Sequence, residues 1–239
     1  MNLILFDQLE IEQNKISVKD HRSKHILKIL KAGEGDEVDI GIINKDKGKA
    51  LIERIENDFI HFSFRFYKED VRLHPIKVIL GFIRPVNVQR VVKDLATLGV
   101  SDINFVGTEK GEKSYAQSKM YAPENLKKYL IEGAEQAFST RLTNVFFYKN
   151  LEDCLKTNLE GMNKIALDNY EATGQLSQSK FPKKTTMLAI GSERGWSDKE
   201  RQFFRAHKFT LASMGNRVLR SETACVSAVS IALAKMNLI

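Results

Sequence analysis

Two stretches near the end of the chain hold residues whose types and spacing suit the capture of a ligand by backbone and positive charge. "IGSERGWSDKE" (190–200) closes an apolar run at Gly191, adds a second glycine at Gly195, and sets Ser197 three residues ahead of Glu200. The glycines let backbone approach a ligand closely, and Ser-x-x-Glu is the capping box of a helix start. "LASMGNRVLRSETA" (211–224) places Arg217 and Arg220 just before Ser221, Glu222 and Thr223, after which residues 223–234 carry no charge. Ser221 or Thr223 is the expected cap of a helix whose free N–H groups join the two guanidiniums in an anion-attracting mouth. Its uncharged, small-residue body suits close packing against another helix or subunit; the plain alternative is a C-terminal core helix with two solvated arginines. A third loop, "LDNYEATG" (167–174), follows another apolar run.

Familiar alternatives fail on spacing. The two glycines come without a Walker lysine, and no G-x-G-x-x-G follows the first strand of the second part of the chain, which argues against nucleotide hydrolysis and hydride transfer. The five histidines are scattered and leave no Ser, His and Asp constellation. His21 and His25 stand four apart on an expected helix without a third ligand, which favours an exposed helix face over a metal site. Cys154 and Cys225 make neither a disulfide framework nor a zinc site and are expected reduced and buried.

These loops need a scaffold, and the apolar pattern supplies one in two parts. "EVDIGI" (37–42), "GKALIERI" (48–55) and "FIHFSFRF" (59–66) alternate as half-buried strands do. A helix over 20–33 starts at an Asp20 cap, carries Ile26, Leu27, Ile29 and Leu30 on one face and stops at Gly33. Beyond the charged "YKEDVRLHP" (67–75), runs such as "IKVILGF", "INFV", "VFFY", "KIALD", "TMLAIG" and "FTLA" alternate with helical segments. Continuously apolar strands interleaved with helices predict a parallel sheet covered on both faces, with ligands beyond the carboxyl ends of its strands. "EATGQLSQSKFPKK" (171–184) reads as a mobile loop. The domain boundary falls near residue 72.

The net charge of +7 is unevenly placed. Residues 1–74 hold 13 basic and 14 acidic side chains, whereas residues 75–239 hold 24 and 16. An excess of that kind attracts a polyanion. With no apolar run of membrane-spanning length and no basic-then-apolar leader, a cytoplasmic protein is expected.

"IGSERGWSDKE" followed by "LASMGNRVLRSETACVSAVSIAL" resembles the paired signature of the RsmE-type ribosomal RNA methyltransferases of the SPOUT superfamily; "RVVKDLATLGVSDINFV", "EGAEQA" and "HILKILKAGEGDEV" extend the resemblance more weakly along the chain. It implies a small PUA-like β-barrel over 1–72 that binds RNA. An α/β methyltransferase domain over 73–239 follows, tied in a deep trefoil knot. It also implies a homodimer joined through the C-terminal helix, S-adenosylmethionine as cofactor, and methylation of N3 of a uridine in 16S ribosomal RNA of the small subunit. Carried over residue by residue, Leu167, Ile190, Gly191, Glu193, Gly195, Trp196, Met214, Gly215, Val218, Leu219 and Arg220 hold the cofactor. Arg220 stabilises charge developing on the uracil oxygens, and Glu222 or Glu193 orients it or accepts a proton. No metal is implied. His25, Lys28 and Lys31 are candidate RNA contacts.

Two departures stand out. Ser192 and Arg194 replace the usual Pro and Gly of the loop, so Arg194 either reaches toward RNA phosphate or obstructs the cofactor site, and Thr97 replaces a usual Glu. Two alternatives remain in view: a noncatalytic ribosome-binding or assembly factor of the same fold, and an RNA methyltransferase acting on a different group.

Overall fold

The computed structural model describes residues 3–67 and 72–239. The chain divides into two compact units, Met1–Arg72 with Ala134–Leu142 and Leu73–Gly133 with Thr143–Ile239. Of the charged stretch 67–75, residues 68–71 lie outside the described residues.

The first unit is built on a five-stranded mixed sheet of β1 (Ile4–Phe6), β2 (Lys15–Ser17), β3 (Glu37–Ile42), β4 (Lys47–Ile55) and β5 (Phe59–Tyr67). Its order is β1-β3-β4-β5-β2, with β3, β4 and β5 as an antiparallel meander and β1 parallel to β3. The alternation read in the sequence is the alternation of burial: Ile40, Ile52 and Ile60 are fully buried, and Phe62 is nearly so. The segment Ala134–Leu142, far away in sequence, completes this unit. Glu135 accepts the Leu5 N–H at 2.9 Å, and Thr140 accepts the Asn44 N–H at 2.8 Å through its carbonyl while its hydroxyl donates to the Lys45 carbonyl at 2.7 Å. A Cβ on Gly41 would lie 2.5 Å from Thr140 Cγ2, so β3 must be bare there.

After the short α1 (Gln8–Glu12), Asp20 caps α2 (His21–Lys24) as expected, accepting from Arg22 N at 2.8 Å. The helix does not continue regularly to Gly33. Its path widens into a π-helical turn over His25–Leu30 and stops at Lys31, which adopts the left-handed conformation. The wider turn breaks the predicted apolar face: Ile26 is buried, but Ile29 is 66% exposed.

Arg22 is the polar hub of the unit. Its guanidinium reaches Glu10 at 2.5 and 2.8 Å, Asp20 at 2.8 Å and the Leu5 carbonyl at 3.2 Å, and lies over the Phe6 ring. The bonds from Arg22 hold the Glu10 carboxyl below its ordinary range. Burial alone would raise Asp20, but its bonds with Arg22 outweigh that and lower it. Carboxyls depressed by folding contribute stability above their unfolded pKa, about 4, and lose it as pH falls through the folded value. We expect Arg22→Leu to cost about 2 kcal/mol at neutral pH, discounted for the partly exposed carboxylates. It should also flatten the acid limb of the stability curve, which urea unfolding between pH 7 and 3 measures.

The second unit is an all-parallel sheet of seven strands: β6 (His74–Gly81), β7 (Val100–Val106), β8 (Asn144–Tyr148), β9 (Asn163–Leu167), β10 (Gly174–Gln175), β11 (Thr186–Ile190) and β12 (Thr210–Ser213). Its helices are α3 (Pro85–Thr97), α4 (Pro123–Gln136), whose last turn belongs to the first unit, α5 (Leu151–Leu155), α6 (Asp198–Ala206) and α7 (Ser221–Lys235). Every residue of β11 is buried, as a strand covered on both faces requires. The order β10-β12-β9-β11-β6-β7-β8 shows the chain stepping outward from β6 to β8, then returning to place β11 between β6 and β9. The loops after β9, β11 and β12 are therefore neighbours at one end of the sheet. The expected mobile loop is partly ordered instead: it contains β10 and a single 3-10 turn, Leu176–Gln178, anchored by the buried Leu176. Cys154 and Cys225 are free and buried, and burial pushes the Cys154 thiol up to about 12. Among the described residues, no helix is long and apolar enough to cross a membrane, and no His, Cys, Asp and Glu group suits a metal.

Candidate functional site

Three carboxyl-end loops and the first turn of α7 enclose a cavity of about 410 Å³. Each wall has a separate local cause. After β9, the buried Asp168 accepts the N–H groups of Tyr170 and Glu171 at 2.8 and 2.6 Å, folding the chain back on itself. Its other oxygen accepts from the buried Arg201 of α6 at 2.8 Å. The loop is thus pinned by an ion pair in the interior.

After β11, Gly195 turns the chain with φ +66° and donates its N–H to the Ser192 carbonyl at 2.9 Å. The predicted capping box forms as read: Ser197 and Glu200 exchange bonds, and Glu200 also accepts the Glu109 N–H. Burial raises the Glu200 carboxyl above its ordinary range despite those donors. Ser192 is buried and bonded to the Thr108 hydroxyl at 3.0 Å. A Cβ on Gly81 would sit 2.5 Å from the Ser192 nitrogen, so the fit at this seam requires glycine. Arg194 is exposed and is not part of the cavity wall.

At α7 the expected cap is absent. Arg220 occupies the N-cap position with extended backbone and no side-chain cap, Thr223 is exposed, and the Ser221 hydroxyl donates to the Gly191 carbonyl at 3.1 Å. Ser221 therefore ties α7 to the β11 loop, leaving the N–H groups of the first turn without intrahelical partners beside the cavity.

The wall contains Leu167, Ile190, Gly191, Glu193, Gly195, Met214, Val218, Leu219, Arg220 and Glu222. Two residues named with them stand apart. Trp196 is wholly buried, donates its indole N–H to the Leu167 carbonyl at 3.0 Å and packs edge-on against Phe204, supporting the wall from behind. Gly215, exposed and at φ +99°, shapes the loop without facing the cavity. The structure also brings in residues that the motif reading did not assign: Arg84 and Asn87 at the start of α3, Asp168 to Tyr170, Ser192 and Ser221. Arg84 donates its backbone N–H to Glu193 at 2.9 Å, and Tyr121 grips Ile83 through both its N–H and its carbonyl. The local signal for this segment is Pro85, which suits the first position of a helix.

Residues 70–233 match the family model of an RNA methyltransferase domain. The chain is similar to the ribosomal RNA small subunit methyltransferase E of Treponema pallidum (strain Nichols), at 36% identity over 245 residues, covering 99% of this chain and 92% of that protein. It is 31% identical over 240 residues to the ribosomal RNA small subunit methyltransferase E 1 of Borreliella burgdorferi, with 99% of each chain covered. Among solved structures, the Neisseria gonorrhoeae ribosomal RNA small subunit methyltransferase E bound to S-adenosyl methionine has the same fold, with a TM-score of 0.80 at 18% identity, covering 98% of this chain and 97% of that one.

Proposed function

The chain belongs to the RsmE-type family of small-subunit ribosomal RNA methyltransferases, and on that premise we propose that it methylates N3 of a uridine in 16S ribosomal RNA, using S-adenosylmethionine. The observation that carries this reading is the convergence of the loops after β9, β11 and β12 with the start of α7 on one cavity. The wall suits the cofactor. Leu167, Ile190 and Leu219 offer apolar cover for a flat base, while Gly191 and Gly195, bare of side chains, let a ligand come close to the backbone. When bound, S-adenosylmethionine supplies a methyl group already activated by a sulfonium.

What remains for the protein is to place the uracil and favour loss of its imide proton. To Arg220, exposed in the cavity lining and without an ion pair among the described residues, we assign the stabilisation of negative charge on the uracil oxygens. Glu193 has one oxygen engaged by Arg84 N–H, which makes it a positioning residue; Glu222, in the wall, is the better proton acceptor. The deep trefoil knot, the PUA-like character of the first unit and its RNA contacts, the domain assignment 1–72 and 73–239, and a cytoplasmic location complete the proposal. A homodimer through α7 is supported by the uncharged outward face of that helix, where Val226, Ser227, Ser230 and Ile231 are only half-buried.

Calorimetric titration with S-adenosylmethionine and with its demethylated product tests the cofactor assignment. We expect saturable binding at one site per chain; a folded protein that takes up neither ligand would overturn it. Methyl transfer to small ribosomal subunits, followed by nucleoside analysis, should yield 3-methyluridine, and a methyl on ribose or another base would refute the N3 assignment.

A further inference from the structure

A second cavity, of about 1130 Å³, opens at the carboxyl ends of β7 and β8, under the turns Lys113–Gln117 and Lys119–Tyr121. The seam already described separates it from the first: Thr108 faces this cavity while its partner Ser192 faces the other, and Tyr121, facing this cavity, bonds Ile83, the neighbour of Arg84, which with Glu193 faces the other. One wall is aromatic. Phe82, Phe105 and Phe147 lie nearly parallel, with interplanar angles of 13–19° and centroids 5.6–6.2 Å apart, and Tyr121 stands edge-on to all three. Phe105 is wholly buried, but Phe147 is 47% exposed and leaves part of its ring free for a further flat partner.

The rim is positive. Lys113, Lys119 and Lys149 line it, are exposed, and have no ion pair among the described residues. The acids beside them are already engaged: Glu109 with Lys199, Glu152 with Lys156, and Glu200 with backbone N–H groups. An open aromatic face with unneutralised lysines around it is the arrangement that binds single-stranded nucleic acid, by stacking a base and meeting its phosphates. Lysine is depleted at protein contacts, which disfavours a peptide occupant.

We infer that this cavity holds a nucleotide of the RNA strand flanking the target base, stacked on Phe147 with its phosphates among Lys113, Lys119 and Lys149. The inference rests on the proposed RNA methyltransferase activity, and the two fail differently.

Trp196 is the single tryptophan and is wholly buried. A Phe147→Trp variant therefore places a reporter at the cavity. Titrated at low salt with a ten-nucleotide single-stranded RNA, its added fluorescence should be quenched, and an abasic oligonucleotide of the same charge should quench it far less. Lys113→Ala with Lys119→Ala should weaken oligonucleotide binding by about 10-fold or more at low salt and reduce the log-log salt slope by about 1.4. S-adenosylmethionine affinity should not change. RNA binding with no quench and no change of salt slope would overturn the docking site and leave the proposed function standing. Quenching by the abasic strand alone would refute stacking. Wild-type protein that binds neither this RNA nor small ribosomal subunits would remove the activity on which the inference depends, and the inference with it.

Discussion

Arg220→Ala is expected to lower methyl transfer by about 10²–10³-fold, the usual cost of removing one preorganised donor to a developing oxyanion. Cofactor affinity should change far less, because the loops after β9 and β11, with Met214 and Leu219, form most of the wall. The substitution is clean. Arg220 sits at the N-cap of α7, but its side chain makes no capping bond; what the helix uses is its carbonyl, which accepts from Ala224 N at 2.8 Å and survives the change. Stability should therefore move by no more than about 0.5 kcal/mol, as for other surface substitutions. Arg220→Lys should recover only part of the rate, since an ammonium lacks the planar fork that can meet a carbonyl with two donors. Single-turnover transfer of labelled methyl to small ribosomal subunits, with cofactor binding measured in parallel, separates these effects. Unimpaired turnover in Arg220→Ala would refute its assigned role.

Asp168→Ala should produce the largest loss of stability, about 3–5 kcal/mol, because it leaves the Arg201 guanidinium buried without its interior partner. Asp168 and Arg201 are both almost inaccessible, and the other carboxylates around Arg201, Asp198 and Glu171, are much more exposed. The same change frees the Tyr170 and Glu171 N–H groups that fold the β9 loop, so cofactor affinity should fall as well. Trp196 provides the readout. Its indole is held by the carbonyl of Leu167, adjacent to the substituted residue, so urea unfolding followed by its fluorescence reports the region directly. A loss below about 1 kcal/mol would show that the loop keeps its shape without the ion pair, given the usual size of such effects.

The parallel sheet was legible because continuous apolar runs of strand length suit strands covered on both faces. "TMLAIG" became β11, with every residue of the strand buried, and Ser197 with Glu200 formed the box their spacing implied. Local patterns failed where a distant partner decided the outcome. Ser221 is a good cap by type, yet the Gly191 carbonyl, brought near by the strand order, takes its hydroxyl. Trp196 belongs to a ligand-loop motif, but the Leu167 carbonyl and the Phe204 ring draw it into the interior. The π-helical turn after Lys24 left no trace in the apolar spacing, since a wide turn and a regular helix place Ile26 alike and differ only afterwards. Nothing local in residues 134–142 marks them as part of the first unit; their tie to Leu5, Asn44 and Lys45 is purely tertiary.

That last tie has a consequence for how the protein is made. During synthesis, β1 to β5 leave the ribosome long before Thr140 does, so the first unit must wait with the Gly41 face of β3 uncovered until Leu142 has been added. Contacts so distant along the chain form slowly. An expression fragment ending at residue 72 would be arrested at that stage, with the carbonyl of Lys45 and the amides of Leu5 and Asn44 deprived of their partners. The compact unit is discontinuous, and isolating it whole requires grafting 134–142 back by a linker or by circular permutation.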